Sequence, residues 1–377
     1  MKSRRNGKVE LLRFLFCLII VVMHSKTFAP DQGKLLFYRG ALGVEFFFFL
    51  SGYLMMNSIS RMKKTAAEVS LGGETRDFIF HKIGALMPNY VVAWLIGFLV
   101  YFTARDHLSI TAGAKRLADT LWEVNFLQMA GFGESRINGI DWYISAMLLA
   151  MFMLYPLARK YSDMFMNVIA PLTGIFILGY MYWKTGTPTG VRTDMGIAFK
   201  GMFRALADVS LGAAAFPLVK KLRETSFTLA GRTVLSFTEL AVYIAVFAFM
   251  MFADSGKYDF VCVFLIWAGL ALSMSHQGLV ADLFDNSLSM WLGRFSLSLY
   301  LSHLYWGRIL GNLQKVKNAK GMIAAIKGLS YSRTLVVYLG LTLATALFVY
   351  YFSLFLKYLN QHLKPMNAFV EPTSKGE

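Results

Sequence analysis

Apolar runs set the architecture of this chain. Stretch after stretch reaches the ~20 residues a helix needs to cross a hydrocarbon core about 30 Å thick. Of the 377 residues, 56% are hydrophobic and only 16% charged, whereas a soluble chain of this size would alternate the two more. Inside lipid a single run can satisfy its backbone only as a helix. Ten spanning helices are predicted: 11–29, 41–57, 83–103, 141–158, 166–183, 201–219, 233–253, 259–276, 289–311 and 334–358. The expected fold is an all-α polytopic membrane protein, a bundle of about ten transmembrane helices. Residues 1–364 form one integral-membrane unit, and 365–377 read as a short cytoplasmic tail.

Lys2, Arg4, Arg5 and Lys8 precede the first run in the manner of a signal peptide. Thr27-Phe28-Ala29 is a poor cleavage site, however, and Arg13 interrupts the run, so it reads as a retained first helix. With the N-terminus inside, an even number of spans returns the C-terminus to the cytoplasm. The Lys/Arg bias between the two faces is slight. The orientation therefore leans on the N-terminal cluster and on Arg61, Lys63 and Lys64 after the second run.

The formal net charge is +16. Its basic residues lie in short loops between apolar runs, which points to anionic lipid headgroups and away from nucleic acid. An anionic cofactor or glycan is the sharper alternative. Cys17 and Cys262 are the only cysteines, and both fall inside apolar runs, so no disulfide framework or thiolate metal site is expected. No metal-ligand cluster is read from the sequence. Ala112–Phe126 has helical apolar spacing and is expected to lie on the membrane surface.

Ionisable groups inside apolar runs carry the chemical signal, because each costs several kcal/mol, about 2.5–3.5 for Arg. Arg13 and His24 stand eleven residues apart in the first run. Glu45 opens the second. In a hairpin, His24 and Glu45 both lie ~7 Å below one membrane face. A carboxylate there would orient the imidazole and raise its basicity. His303 falls in the same half of the ninth run, with Tyr300 and Ser296 on a shared helix face. Trp142 and Tyr143 enter from that side just after Asn138-Gly139. Bland readings compete at each position: interfacial anchoring for the aromatics, helix packing for a lone His. On the opposite face Arg13 can snorkel or pair with Glu10. Arg61, Arg76, His81 and Lys82 form a basic loop able to hold phosphates as well as lipids. Arg204 and Asp208 are four apart and are expected to pair on one helix face.

These residues resemble the integral-membrane acyltransferase family 3 over nearly the whole chain. Glu10-Leu-Leu-Arg13 followed by ten residues and His24 is similar to the first-helix Arg-x10-His pattern. Gly43-Val-Glu45-Phe-Phe-Phe-Phe-Leu-Ser51-Gly52-Tyr53 is similar to its second-helix pattern. Trp142-Tyr143-Ile-Ser145 and Gly293…Ser296…Tyr300-Leu301…His303 follow in the family order. One departure stands out. The family's basic pair before the third span corresponds to Lys82 and Ala85 ahead of Pro88, so one cation is lost.

The resemblance implies O-acylation of a cell-surface carbohydrate by acyl-CoA, acetyl-CoA by default, without a metal, in a plasma membrane of bacterial type. It implies catalytic roles for His24, Glu45, Arg13, His303 and Tyr300. Lys82, Arg76, His81 and Arg61 would hold the donor, and Trp142, Tyr143, Asn138 and Ser296 the acceptor. His24 would serve as general base or as transient acyl carrier. Partners would be membrane lipids and the carbohydrate, and a homo-oligomer stays open. Two other functions stay open too: a transporter or flippase of lipid-linked saccharides, and a non-catalytic partner in envelope-polymer assembly.

Overall fold

The computed structural model describes residues 6–29, 36–62, 70–105, 108–133, 137–254, 256–316, 321 and 326–363. The tail expected at 365–377 and the loop cations Lys63 and Lys64 lie outside them. Among the described residues the chain is helical, with no named strand and one isolated bridge between Asp194 and Phe199. Eight helices among the described residues are long and apolar enough to cross a membrane. The other two expected spans also fall on helices: α1 (Gly7–Met23), 17 residues long, and α12 (Ser287–Ser302), 16 residues long.

The helices begin where the sequence caps them. The Asn6 side chain accepts from the Val9 N–H at the head of α1. The first helix ends in a tight 3-10 turn, His24–Thr27, and α2 (Gly43–Ile59) returns beside it. Ser70 caps α3 (Leu71–Ala104), whose 34 residues extend about 51 Å, well beyond a ~30 Å core. Its third span was expected to start near 83. It starts a dozen residues earlier, so Arg76, His81 and Lys82 sit on a helix and not in a loop.

The surface region expected at 112–126 consists of α4 (Ile110–Asp119) and α5 (Leu121–Val124), with Ile110, Leu117, Leu121 and Trp122 exposed. Next come α6 (Trp142–Lys160) and the stretch Ser162–Thr185, where α7 (Ser162–Met164) joins α8 (Ala170–Thr185) through a π turn. They are followed by α9 (Lys200–Glu224), α10 (Leu229–Phe252) and α11 (Asp259–Ser275). The ninth span breaks at His303, between α12 and α13 (Leu304–Gln314). The last helix is α14 (Tyr331–Leu363).

The centre of the bundle is the α2–α9 crossing, with α1 packed along α12 on one side. Two glycines let the backbones of α2 and α9 touch. A Cβ at Gly52 would collide with the Val209 carbonyl, and one at Gly212 with the Phe49 carbonyl. Small residues serve this purpose in membranes, where close packing replaces the hydrophobic drive between helices. Lipid-facing helices are much less enclosed: α10 and α14 expose Phe237, Leu240, Ile244, Phe348, Tyr351 and Phe355.

Gly52→Ala and Gly212→Ala should each lower the melting temperature in detergent, by a destabilisation of about 1–3 kcal/mol or more. Gly179→Ala, where an added Cβ meets nothing within 4 Å, should leave it unchanged or slightly raised.

Candidate active site

Two imidazoles come together where two helices end. His24 terminates α1, and His303 interrupts the ninth span. His303 is fully buried, and its Nε2 lies 3.1 Å from His24 Nδ1. Each ring is anchored to the carbonyl a turn before it: His24 Nδ1 to Ile20 O at 2.9 Å, His303 Nδ1 to Tyr300 O at 2.6 Å. A carbonyl accepts only, so both Nδ1 atoms are assigned as donors. His303 Nε2 then shares the single proton on His24 Nδ1 with the Ile20 carbonyl, as a three-centre hydrogen bond. The lone pair of His24 Nε2 remains available as a base or nucleophile.

Below this pair lies a cavity of ≈ 340 Å³. Tyr300 links the two, since its ring lies 5.8 Å from that of His303 and it also lines the cavity. Tyr300 donates to the Ile140 carbonyl at 2.9 Å, which fixes the loop before α6. Tyr143 and Ser296 line the cavity beside it, and Arg13, Lys82 and Ala85 line it as well. Between Arg13 and His24, α1 rises about 16 Å. The cavity thus runs from a basic end toward the imidazole pair, past walls of Val44, Phe47, Leu50, Leu86 and Met147. Arg13 is held by Glu10 at 2.8 Å.

Several expected site residues lie elsewhere. Glu45 does not orient His24. It is fully buried and bound by Arg204, whose Nη2 lies 2.6 Å and Nε 3.1 Å from its Oε1. Arg204 therefore pairs across to α2, and Asp208, one turn further along α9, is buried as well. A buried guanidinium prefers the forked contact, and the α2–α9 approach places Glu45 within its reach. Trp142 belongs to this cluster, because the Arg204 guanidinium sits 5.3 Å above its ring.

Arg76 and His81 also miss the cavity. At 100° per residue, His81 points about 100° away from Lys82 and Arg76 about 120° away. Both are exposed, and Arg76 pairs with Asp77 at 2.9 Å. Arg61 is exposed just beyond α2. Of the four expected donor contacts, only Lys82 reaches the cavity, where it is joined by Arg13.

Asn138 is fully buried, and both its side-chain polar atoms lack a partner. Its backbone N–H donates to Glu123, which also receives the Ile137 N–H. Glu123 lies on the short helix α5, before α6. Its burial and the neighbouring Asp141 carboxylate raise its pKa well above the ordinary range, against the pull of those two N–H groups. Tyr90 donates to Asp141 Oδ2 at 3.1 Å and to the Glu123 carbonyl at 2.9 Å. Glu123, Asp141 and Tyr90 brace the Asn138-Gly139 turn, and no short-range spacing announced them. Contrary to expectation, one group of metal-type ligands does assemble: His276, Asp282 and Asp285. Asp285 receives the Gly7 N–H, which places the group at the opposite end of α1 from His24.

The family described as an acyltransferase domain, acyltransferase family 3, matches residues 6–354. The chain belongs to that family and is a membrane-embedded acyltransferase. No curated protein and no solved structure matches it.

Glu45→Leu should cost about 3–5 kcal/mol, because it leaves the Arg204 charge buried without its ion pair. Glu45→Leu combined with Arg204→Leu should recover a substantial part of that loss. A double-mutant cycle on melting in detergent measures the coupling, and additive losses would mean the pair does not act as a unit.

Proposed function

We propose that this acyltransferase moves an acyl group, acetyl by default, from cytoplasmic acyl-CoA to the hydroxyl of an extracytoplasmic carbohydrate. The carrying observation is the paired imidazoles above a cavity lined by two cations, Arg13 and Lys82. Diphosphate and phosphate groups of a nucleotide donor suit Lys82 and Arg13. A pantetheine arm is roughly 15–20 Å long by its bond count. That matches the rise of α1 from Arg13 to His24, and the apolar cavity walls suit the arm's passage.

In this reading His24 Nε2 takes the proton from the acceptor hydroxyl as the oxygen attacks the thioester carbonyl. His303 Nε2 accepts from His24 Nδ1–H and steadies the cation that forms. The thiolate leaves and takes that proton from His24, which returns to its neutral state. Tyr300 and Tyr143 shape the passage, and Ser296 lines it. Glu45 with Arg204 holds α2, α9 and Trp142 in place and does not relay charge. Arg13 makes good the cation missing at Ala85, because it faces the same cavity from a different helix.

His24→Ala should lower acyl transfer on the order of 10²–10⁴-fold while leaving membrane insertion intact. Incubating membranes with labelled acetyl-CoA and envelope glycans, then following the label into saccharide, measures it. Normal transfer would remove His24 from the mechanism, and label found on glycan without CoA dependence would favour a transporter.

Lys82→Ala should raise the KM for the donor more than it lowers kcat, since a phosphate contact far from the carbonyl binds ground and transition states alike. Ala85→Arg should tighten acyl-CoA binding, by a margin that shrinks as salt rises. Donor titrations on purified protein at two salt concentrations test both. Unchanged affinity would place the phosphates elsewhere.

A further inference from the structure

Beyond the imidazole pair, on the side away from Arg13 and Lys82, stand two cations that the mechanism above does not use. Arg308 lies on α13, five residues after His303. Its guanidinium packs onto Gly139 so closely that a Cβ there would collide with it, and Gly139 holds a left-handed φ of 70°. Only glycine combines that backbone with that space. The Asn138-Gly139 turn, fixed through Glu123, is thereby shaped around the Arg308 head group. Lys26 projects from the 3-10 turn two residues after His24. Both cations act electrostatically on His24.

Neither has an ion-pair partner among the described residues, although Arg308 is half-buried. Carboxylates that could have served are committed elsewhere. Asp259 is bound by Arg39, and Glu123 and Asp141 are engaged with each other, Tyr90 and backbone amides. A half-buried guanidinium with five donors and no acceptor is costly to hold unless a ligand supplies one. Beside it the buried Asn138 amide also lacks a partner. Two free cations and a free amide around a general base form a receptor for an anion that carries a hydroxyl.

We propose that the acceptor is an anionic saccharide, whose carboxylate or phosphate is held by Arg308 with Lys26 while its hydroxyl faces His24. The inference rests on the transferase reading and narrows its acceptor class. Arg308 supplies the forked contact that planar carboxylate and phosphate groups favour, and Lys26 adds a point charge at the rim. The donor phosphates and the acceptor anion then occupy opposite ends of one passage, each matched by its own cations, and neither competes for the other's site.

The test uses the full chain in lipid nanodiscs and three tetrameric probes: oligogalacturonate, oligo(glycerol phosphate) and neutral maltotetraose. Calorimetric titration at low and high salt should show at least one anionic tetramer binding more tightly than maltotetraose, with the preference falling as salt rises. Whichever of the two binds distinguishes a carboxylate from a phosphate source. R308Q should weaken that binding about tenfold or more, R308K should keep much of it, and maltotetraose should be unmoved by either. Unshifted melting temperatures show that the variants remain folded. Equal binding of neutral and anionic probes, no binding of either anion, or equal losses for all three in R308Q overturns the inference. Transfer of label from acetyl-CoA to envelope glycans by wild-type membranes is read in parallel. Label transfer without anionic preference leaves the proposed donor and reaction standing and sinks this inference. Anionic preference without label transfer sinks the proposed donor and leaves the anion site.

Discussion

An ion in hydrocarbon has to be met by a partner, and that requirement organises the centre of this molecule. Arg204 is almost completely enclosed, and so is Glu45. Neither is tolerable alone, so α2 and α9 are joined by a contact that neither helix can leave without stranding a charge. The glycine crossing at Gly52 and Gly212 sets the distance, and the ion pair fixes the register. Everything placed by α2 follows from this, including Phe47, Leu50 and Ser51 on the cavity wall. Trp142 lies under the same guanidinium, so the start of α6 and the turn before it are fixed to the same point. The same logic recurs at the edges of the bundle, where Lys8 binds Glu239 at 2.6 Å and Arg159 binds Glu74 at 2.8 Å.

The two histidines sit where regular helix fails. An imidazole within an unbroken helix faces its own turn or a neighbour. At the end of α1 and at the break before α13, each ring folds back on the carbonyl of its own last turn. That contact sets the tautomer without a carboxylate. Glu45 is therefore released from the task that depth alone had suggested for it. The break at His303 has a second consequence. It redirects α13 across the top of α1, where Gly307 and Gly311 pack on Thr27 and Arg308 turns toward Gly139.

The spans were legible because length and apolarity are properties of single segments. Which segments are neighbours is not such a property, and the errors follow that line. His24 and Glu45 do lie on neighbouring helices, but not at one depth: Gly40 packs beside Met23 and Phe46 stacks on Phe16, so Glu45 lies well below His24 and meets Arg204 of α9. Spacing alone paired Arg204 with Asp208 on one helix face, and a better acceptor across the crossing won. Arg76, His81 and Lys82 were read together as a basic loop. Once α3 begins at Leu71 they acquire a helical phase, and only Lys82 keeps the cavity side. Tyr300, Tyr143 and Ser296 line the cavity at the positions the apolar pattern picked out. Glu123, Asp141 and Arg308 gave no signal, since each acts through a residue distant in sequence.

The distribution of paired and unpaired cations carries the remaining argument. A membrane protein with net charge +16 has every reason to spread its cations over lipid headgroups, and exposed residues such as Arg61 and Arg76 fit that use. Headgroups cannot explain a guanidinium drawn inward against a glycine shaped to receive it. Within the bundle Lys8, Arg39, Arg159 and Arg204 are matched with carboxylates, and the buried Lys200 with the Thr187 and Thr189 carbonyls. Lys82 lines the cavity, and Arg308 stands over the imidazoles. Neither has a carboxylate match among the described residues, and they stand on opposite sides of the imidazole pair. The proposed transfer between two charged substrates would use that arrangement: fixed partners for the charges that hold the fold, open ones where substrates bring their own.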